Sequence, residues 1–262
     1  NVPRLDYSDG TCPSLLLEPA STNLVVQSED FSNAYWGTIF ANPTINNAIS
    51  PNGQLNATKF NDDNSGGNGE VRLFGSATVN TSSSYTFSCF IKKGTLNDAI
   101  LRTGNFTTPT NTSTFFDLNL GTVALVGSGH TANIKNYGNG WYRCSITFVT
   151  DTVDNSGNVV IGLADGLSAS VDRNGLSSVF IYGAQLEENS YATSYIKNAG
   201  TALGVTRVAD TASGAGNASL INSSEGTLYA EISALSDDLT QKSITISDSS
   251  TNNFVRIDYK NA

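Results

Sequence analysis

Apolar and polar residues alternate with a period of two along most of the chain, in short runs closed by Gly, Asn, Ser or Pro. In Tyr85-Thr86-Phe87-Ser88-Cys89-Phe90-Ile91-Lys92 the positions Tyr85, Phe87, Cys89 and Ile91 share one face. Between Trp141 and Phe148 the corresponding set is Tyr142, Cys144, Ile146 and Phe148, which sends Trp141, Arg143, Ser145 and Thr147 to the other face. Both sets are predicted to point into a core, with Phe87, Cys89, Ile146 and Phe148 fully buried. Further strands are predicted over 15–17, 23–26, 71–74, 99–103, 114–118, 121–126, 131–136, 159–163 and 179–186. The separators, such as Asp62-Asp63-Asn64-Ser65-Gly66-Gly67 and Asn139-Gly140, are rich in residues that tolerate turn geometry. No apolar period of 3.6 is sustained. The pattern predicts an all-β protein built as an antiparallel sandwich.

The pattern also divides the chain. From Asn198 to Ser224 aromatic residues vanish and Ala, Gly, Ser, Thr and Asn dominate, which predicts a linker. Alternation returns over 226–232, 243–247 and 254–259. Three strands cannot close a core by themselves, so this end is read as part of a second β domain. The organisation expected is a lead-in over 1–22, a sandwich over 23–197, a linker over 198–224 and a partial domain over 225–262.

Composition narrows the class. Hydrophobic residues make up 39% of the 262, charged residues only 14%, and Met is absent, which disfavours a mainly helical protein. The lack of Met and the stop at Ala262 just after a strand are read as marks of a fragment. A net charge of −9 and a pI near 4.5, with no run of Lys and Arg, argue against binding nucleic acid. No stretch reaches the roughly 18 apolar residues that span a bilayer, so no membrane insertion is expected.

Catalytic chemistry finds little support. The sole histidine, His130, stands in the polar stretch Gly127-Ser128-Gly129-His130-Thr131 and is read as a surface residue outside any triad. Cys12, Cys89 and Cys144 lack metal spacing. Cys89 and Cys144 read as small buried hydrophobes, with a disulfide between them left open. Gly66-Gly67-Asn68-Gly69 opens no helix, so it is not a phosphate cradle. Two of the 23 acids converging for glycoside hydrolysis has nothing in its favour, and the chain is read as noncatalytic. Sugar binding asks for less: an aromatic ring for the apolar face of a pyranose, and Arg or amide side chains for its hydroxyls. Trp141, Arg143, Tyr137, Arg72 and Arg102 are the candidates, Arg143 foremost as an extended donor on the noncore face, while Trp36 reads as structural.

A set of motifs adds a resemblance. Pro3-Arg4-Leu5-Asp6-Tyr7, Leu15-Leu16-Leu17-Glu18-Pro19, Thr22-Asn23-Leu24, Ser28-Glu29-Asp30-Phe31-Ser32 and Trp36 come first. Tyr85-Thr86-Phe87-Ser88 and Tyr137-Gly138-Asn139-Gly140-Trp141-Tyr142-Arg143 follow. Gly183-Ala184-Gln185-Leu186-Glu187 and Tyr191-Ala192-Thr193-Ser194-Tyr195-Ile196 close the set. In order and spacing these resemble a module of bacteriophage tail fibres and virion appendages, similar in turn to noncatalytic carbohydrate-binding modules with a jelly-roll fold. Gly226-Thr227-Leu228-Tyr229 resembles the first strand of a concanavalin A-like lectin domain. The resemblance implies an extracellular virion component that contacts host-surface glycan and assembles with copies of itself as a homotrimer. It also implies a structural calcium site, for which Glu29, Asp30 and Gln185 supply oxygen ligands. A purely structural spacer and an accessory module of a secreted polysaccharide-degrading enzyme are the rival readings.

Overall fold

The computed structural model describes residues 4–6, 13–212, 225, 227, 229–233, 242–247, 252 and 254–259. Two compact units emerge: Glu18–Ala209, and a second made of 1–17 with 210–262. In the second unit, β1 (Arg4–Asp6) pairs with β2 (Ser14–Leu16), and β19 (Lys242–Ser247) pairs with β20 (Phe254–Tyr259), both antiparallel. The described residues within 226–232 carry no strand, contrary to the pattern there. Cys12, Pro3, Tyr7 and the stretch 213–224 lie outside the described residues.

The larger unit is a sandwich of two six-stranded antiparallel sheets. The first holds β4 (Trp36–Ile39), β8 (Arg72–Thr78), β10 (Asp98–Gly104), β11 (Ser113–Asp117), β12 (Thr122–Leu125) and β15 (Ser156–Ala164), in the order β12-β11-β10-β15-β8-β4. The second holds β5 (Thr44–Ile49), β6 (Leu55–Asn61), β9 (Ser84–Lys93), β13 (Thr131–Asn136), β14 (Trp141–Val149) and β17 (Ser178–Glu187), in the order β13-β14-β9-β17-β6-β5. A ribbon of β7 (Asn68–Glu70) and β16 (Ser170–Asp172) stands beside the sheets. The pair β3 (Ser21–Asn23) and β18 (Val205–Arg207) closes the unit. Residues 198–209, expected as linker, therefore belong to this unit, and its start precedes residue 23. No helix occurs among the described residues, and none there is long and apolar enough to cross a membrane.

Alternation predicts the core. Tyr85, Phe87, Cys89 and Ile91 on β9, with Cys144, Ile146 and Phe148 on β14, meet Leu73, Leu101, Val159, Ile161 and Leu163 of the first sheet, all buried. Cys89 and Cys144 face each other across β9 and β14 as free thiols. Burial pushes the Cys89 thiol up to about 12 and Cys144 well above its ordinary value, so both pack as small apolar groups.

The second sheet differs from expectation on its other side. The middle of its outer face is not wet, because the turn after β5 and the segment following β17 lie over it, while the edge strands β13 and β5 stay largely exposed. Phe90, Trp141, Tyr182 and Ala57 form a second apolar cluster there, joined by Tyr195 from the covering segment. Gly183 makes this closure fit. Its φ is +62°, it falls where the β17 register shifts, and a Cβ there would stand 3.1 Å from both Phe90 and Tyr195. Period two therefore assigns the correct face to Trp141 and Arg143, but it cannot say what covers that face.

Candidate functional site

The motif residues hold the cover in place. Arg143 is only 5% exposed; its guanidinium donates to the Thr193 carbonyl and to Ser88 Oγ (3.0 Å), and lies 5.3 Å from the Phe90 ring. Trp141, 2% exposed, donates from Nε1 to the Ile49 carbonyl at 3.0 Å. Both are withdrawn from the glycan reading: a buried donor already spent on a carbonyl has no face for a sugar. Tyr137 keeps 43% exposure in the turn before β14, its ring edge-on to Phe90 at 4.9 Å. Trp36 is buried and donates to the Gln27 carbonyl at 2.8 Å, a packing role as expected.

Each of the three calcium candidates has hydrogen-bond partners within the protein. Gln185 is buried, with Oε1 accepting from Ile196 N at 2.6 Å. Asp30 caps its own turn, accepting from Ser32 N (3.1 Å) and Ser32 Oγ (2.7 Å). Glu29 accepts from Tyr182 and Tyr195 hydroxyls at 2.9 and 3.2 Å and from Lys197 Nζ at 2.7 Å. Burial, reinforced by Glu29, holds both tyrosines protonated as donors. A cation already seated on Glu29 and a buried amide serving as backbone acceptor do not fit a calcium site. Among the described residues no group of three or more His, Cys, Asp or Glu is arranged to hold a metal.

His130 also departs from its reading. It is 9% exposed, between Thr103 of β10 and Thr114 of β11, with Nε2 3.0 Å from Thr103 Oγ1 and Nδ1 2.9 Å from Thr114 Oγ1. The polar sequence around it misleads because the ring, not the loop, is what the sandwich edge takes in.

The remaining two candidates, Arg72 and Arg102, come together on the outer face of the first sheet. This face carries an open groove of about 180 Å³. Cross-strand register puts Phe74, Val160 and Arg102 abreast on β8, β15 and β10, with Ile39 and Arg72 abreast on β4 and β8. Phe74, Val160 and Ile39 supply an apolar floor, while Asn158 and the β10–β11 loop residues Asn105 and Asn111 supply amides. Glu70 stands between the arginines: Oε2 accepts from Arg72 Nη1 at 2.7 Å and Oε1 from Arg102 Nη1 at 3.2 Å. The sequence reading missed Phe74, Val160 and the asparagines. Phe74 closes a run, 71–74, read only as a strand with no face assigned, and the loop asparagines look like any turn.

Gly37 lets the floor form. A Cβ at this position would stand 2.2 Å from Phe74 Cζ, so the ring lies directly over the glycine. Gly37→Ala is expected to push the ring into the groove and cost about 1–2 kcal/mol by overpacking. Chemical denaturation of the variant beside the parent checks this.

No protein-family model matches the chain, and no curated protein sequence does. Among solved structures, the enzymatically active domain of tailspike protein 4 of bacteriophage CBA120 is similar at 10% identity and a TM-score of 0.39, over 63% of this chain and 21% of that one. The CBM22-1–GH10 modules of an endo-1,4-β-D-xylanase of Clostridium thermocellum, complexed with xylohexaose, give 10% identity and 0.35, over 69% and 30%. The mannan-recognising carbohydrate-binding module TmCBM27 gives 13% and 0.32, over 66% of this chain and 98% of that one. The chain thus spans less than a third of the first two. The larger unit is an antiparallel β-sandwich, covered over the middle of one outer face and grooved on the other.

Proposed function

We propose that the chain is a noncatalytic module that contacts glycan through the groove on its first sheet. The observation that carries this reading is the groove itself: an apolar floor of Phe74, Val160 and Ile39, edged by Arg72, Arg102 and three asparagine amides. A pyranose presents an apolar face and a rim of hydroxyls, and this floor and edge complement both. A volume of about 180 Å³ is small for a ligand pocket, so one saccharide unit is gripped and affinity per copy is modest, about millimolar to micromolar. Such a site gains from repetition. The order of sequence motifs from Pro3 to Ile196, which resembles that of appendage modules, supports a virion fibre whose copies assemble around an axis, as a homotrimer in this reading.

A glycan array followed by amide-resolved NMR titration tests the binding. Ligands are expected to shift the amides of 72–76, 102–105 and 158–160 and to leave those of β14 unmoved. An array without hits for either monomer or oligomer favours the spacer reading instead. Light scattering is expected to give an oligomer of the intact protein; a monomer at every concentration removes the fibre assembly.

A further inference from the structure

Resting on the glycan reading of this groove, we infer that its ligand is an acidic saccharide, one whose ring carries a carboxylate. The inference starts from charge. The chain carries −9 overall, yet the groove gathers two guanidiniums around one carboxylate, a local excess of +1. Arg72 and Arg102 are anchored on separate strands with β15 between them, so they bracket the apolar floor from two sides.

Each guanidinium offers five N–H donors, and here each spends a single nitrogen, Nη1, on Glu70. Among the described residues Glu70 is the only acceptor either one has. Arg102 Nε is buried without a hydrogen-bond partner, so the donor capacity of this pair exceeds what the protein itself uses. A neutral sugar could answer that surplus only with hydroxyls. A carboxylate answers it with charge-assisted bonds in the fork geometry that arginine favours. Glu70 already demonstrates the arrangement: it is a carboxylate lying between these two arginines, on a short ribbon strand, and more exposed than either. It thus acts as the resident competitor for the same donors and keeps the pair oriented while the groove is open.

The experiment uses the intact protein and two probes, tri-galacturonate and the same trisaccharide with its carboxyls reduced to alcohols, titrated by amide NMR. The acid is expected to shift the groove amides with about tenfold or greater advantage over the reduced probe. That advantage should shrink as salt rises from about 50 to about 500 mM. Arg102→Gln is expected to lose the advantage, so that the two probes bind the variant with nearly equal affinity. Glu70→Gln, which removes the competing charge, is expected to tighten the acid several-fold. Equal affinity for the two probes at the groove overturns the acidic specificity and leaves the glycan reading standing. Neither probe shifting the groove overturns the acidic specificity too, and the array then judges the glycan reading by itself. Weaker acid binding by Glu70→Gln also overturns it, because Glu70 would then be a sugar ligand rather than a competitor.

Discussion

Replacing Trp141 by alanine is expected to lower the stability of the sandwich by about 3–5 kcal/mol, the cost of truncating a large buried aromatic. The indole is almost fully enclosed by Phe90, Tyr182 and the segments that cover the second sheet. Its loss opens a cavity that rigid strands on either side cannot collapse into. It also strips the Ile49 carbonyl of its donor. Trp141→Phe keeps most of the packing and loses the hydrogen bond, so about 1–2 kcal/mol is expected from it. Urea denaturation measures both. At temperatures where the variant remains folded, glycan titration should match the parent, because Trp141 faces away from the groove. Unchanged stability with lost binding would restore the residue as a stacking platform.

That expectation reverses what the sequence suggests for the same residue, and the reason is physical. Period-two alternation records which side of a sheet a residue occupies, and it assigns β9 and β14 correctly. It carries no record of a distant segment folding over the opposite side. The cover is built by pairs far apart in the chain. Asn23 donates from Nδ2 to the carbonyls of Ala184 and Ile196 (3.2 and 2.7 Å) and accepts from Val25 N and Leu186 N. Glu187, buried, accepts from Ser21 Oγ at 2.6 Å and from Thr193 N at 3.1 Å, and Glu18 accepts from Ser194 N at 2.8 Å. These are the residues of the recognisable motifs. The motifs stand out because they specify the closure of the sandwich, whose buried polar groups must all be paired at once. The groove needs no such specification, only a surface of about the right shape, so its residues left little trace. Several strands were invisible for a related reason. β5 reads Thr44-Ile45-Asn46-Asn47-Ala48-Ile49 at a sheet edge, mostly exposed, and nothing apolar marks its rhythm.

Acidification from pH 7 to pH 4 is expected to remove about 3 kcal/mol of stability through His130 alone. Its hydrogen bonds fix the tautomer. Thr103 Oγ1 gives its proton to the Pro109 carbonyl (3.1 Å) and so accepts from Nε2–H; Nδ1 of the neutral ring then accepts from Thr114 Oγ1–H, whose oxygen also accepts from Gly127 N (3.0 Å). A second proton on Nδ1 would face a hydroxyl proton, in a place poorly reached by water. Desolvation accordingly lowers the imidazole from 6.5 to about 4. In the unfolded chain the ring titrates near its ordinary value of about 6.5, so between these two points the unfolded state holds more protons. Stability is then fully present above pH 6.5, falls as pH drops through the window, and loses nothing further from this group below pH 4. Most carboxylates titrate lower, which keeps the window separable. Urea midpoints at half-unit steps from pH 8 to pH 4 measure the slope. His130→Gln is expected to be less stable at pH 8 and to lose most of the slope between pH 6.5 and 4.5. A parent protein whose stability is level across that interval would mean that the ring takes its second proton without leaving its threonine pair, and the tautomer assignment would fall with it.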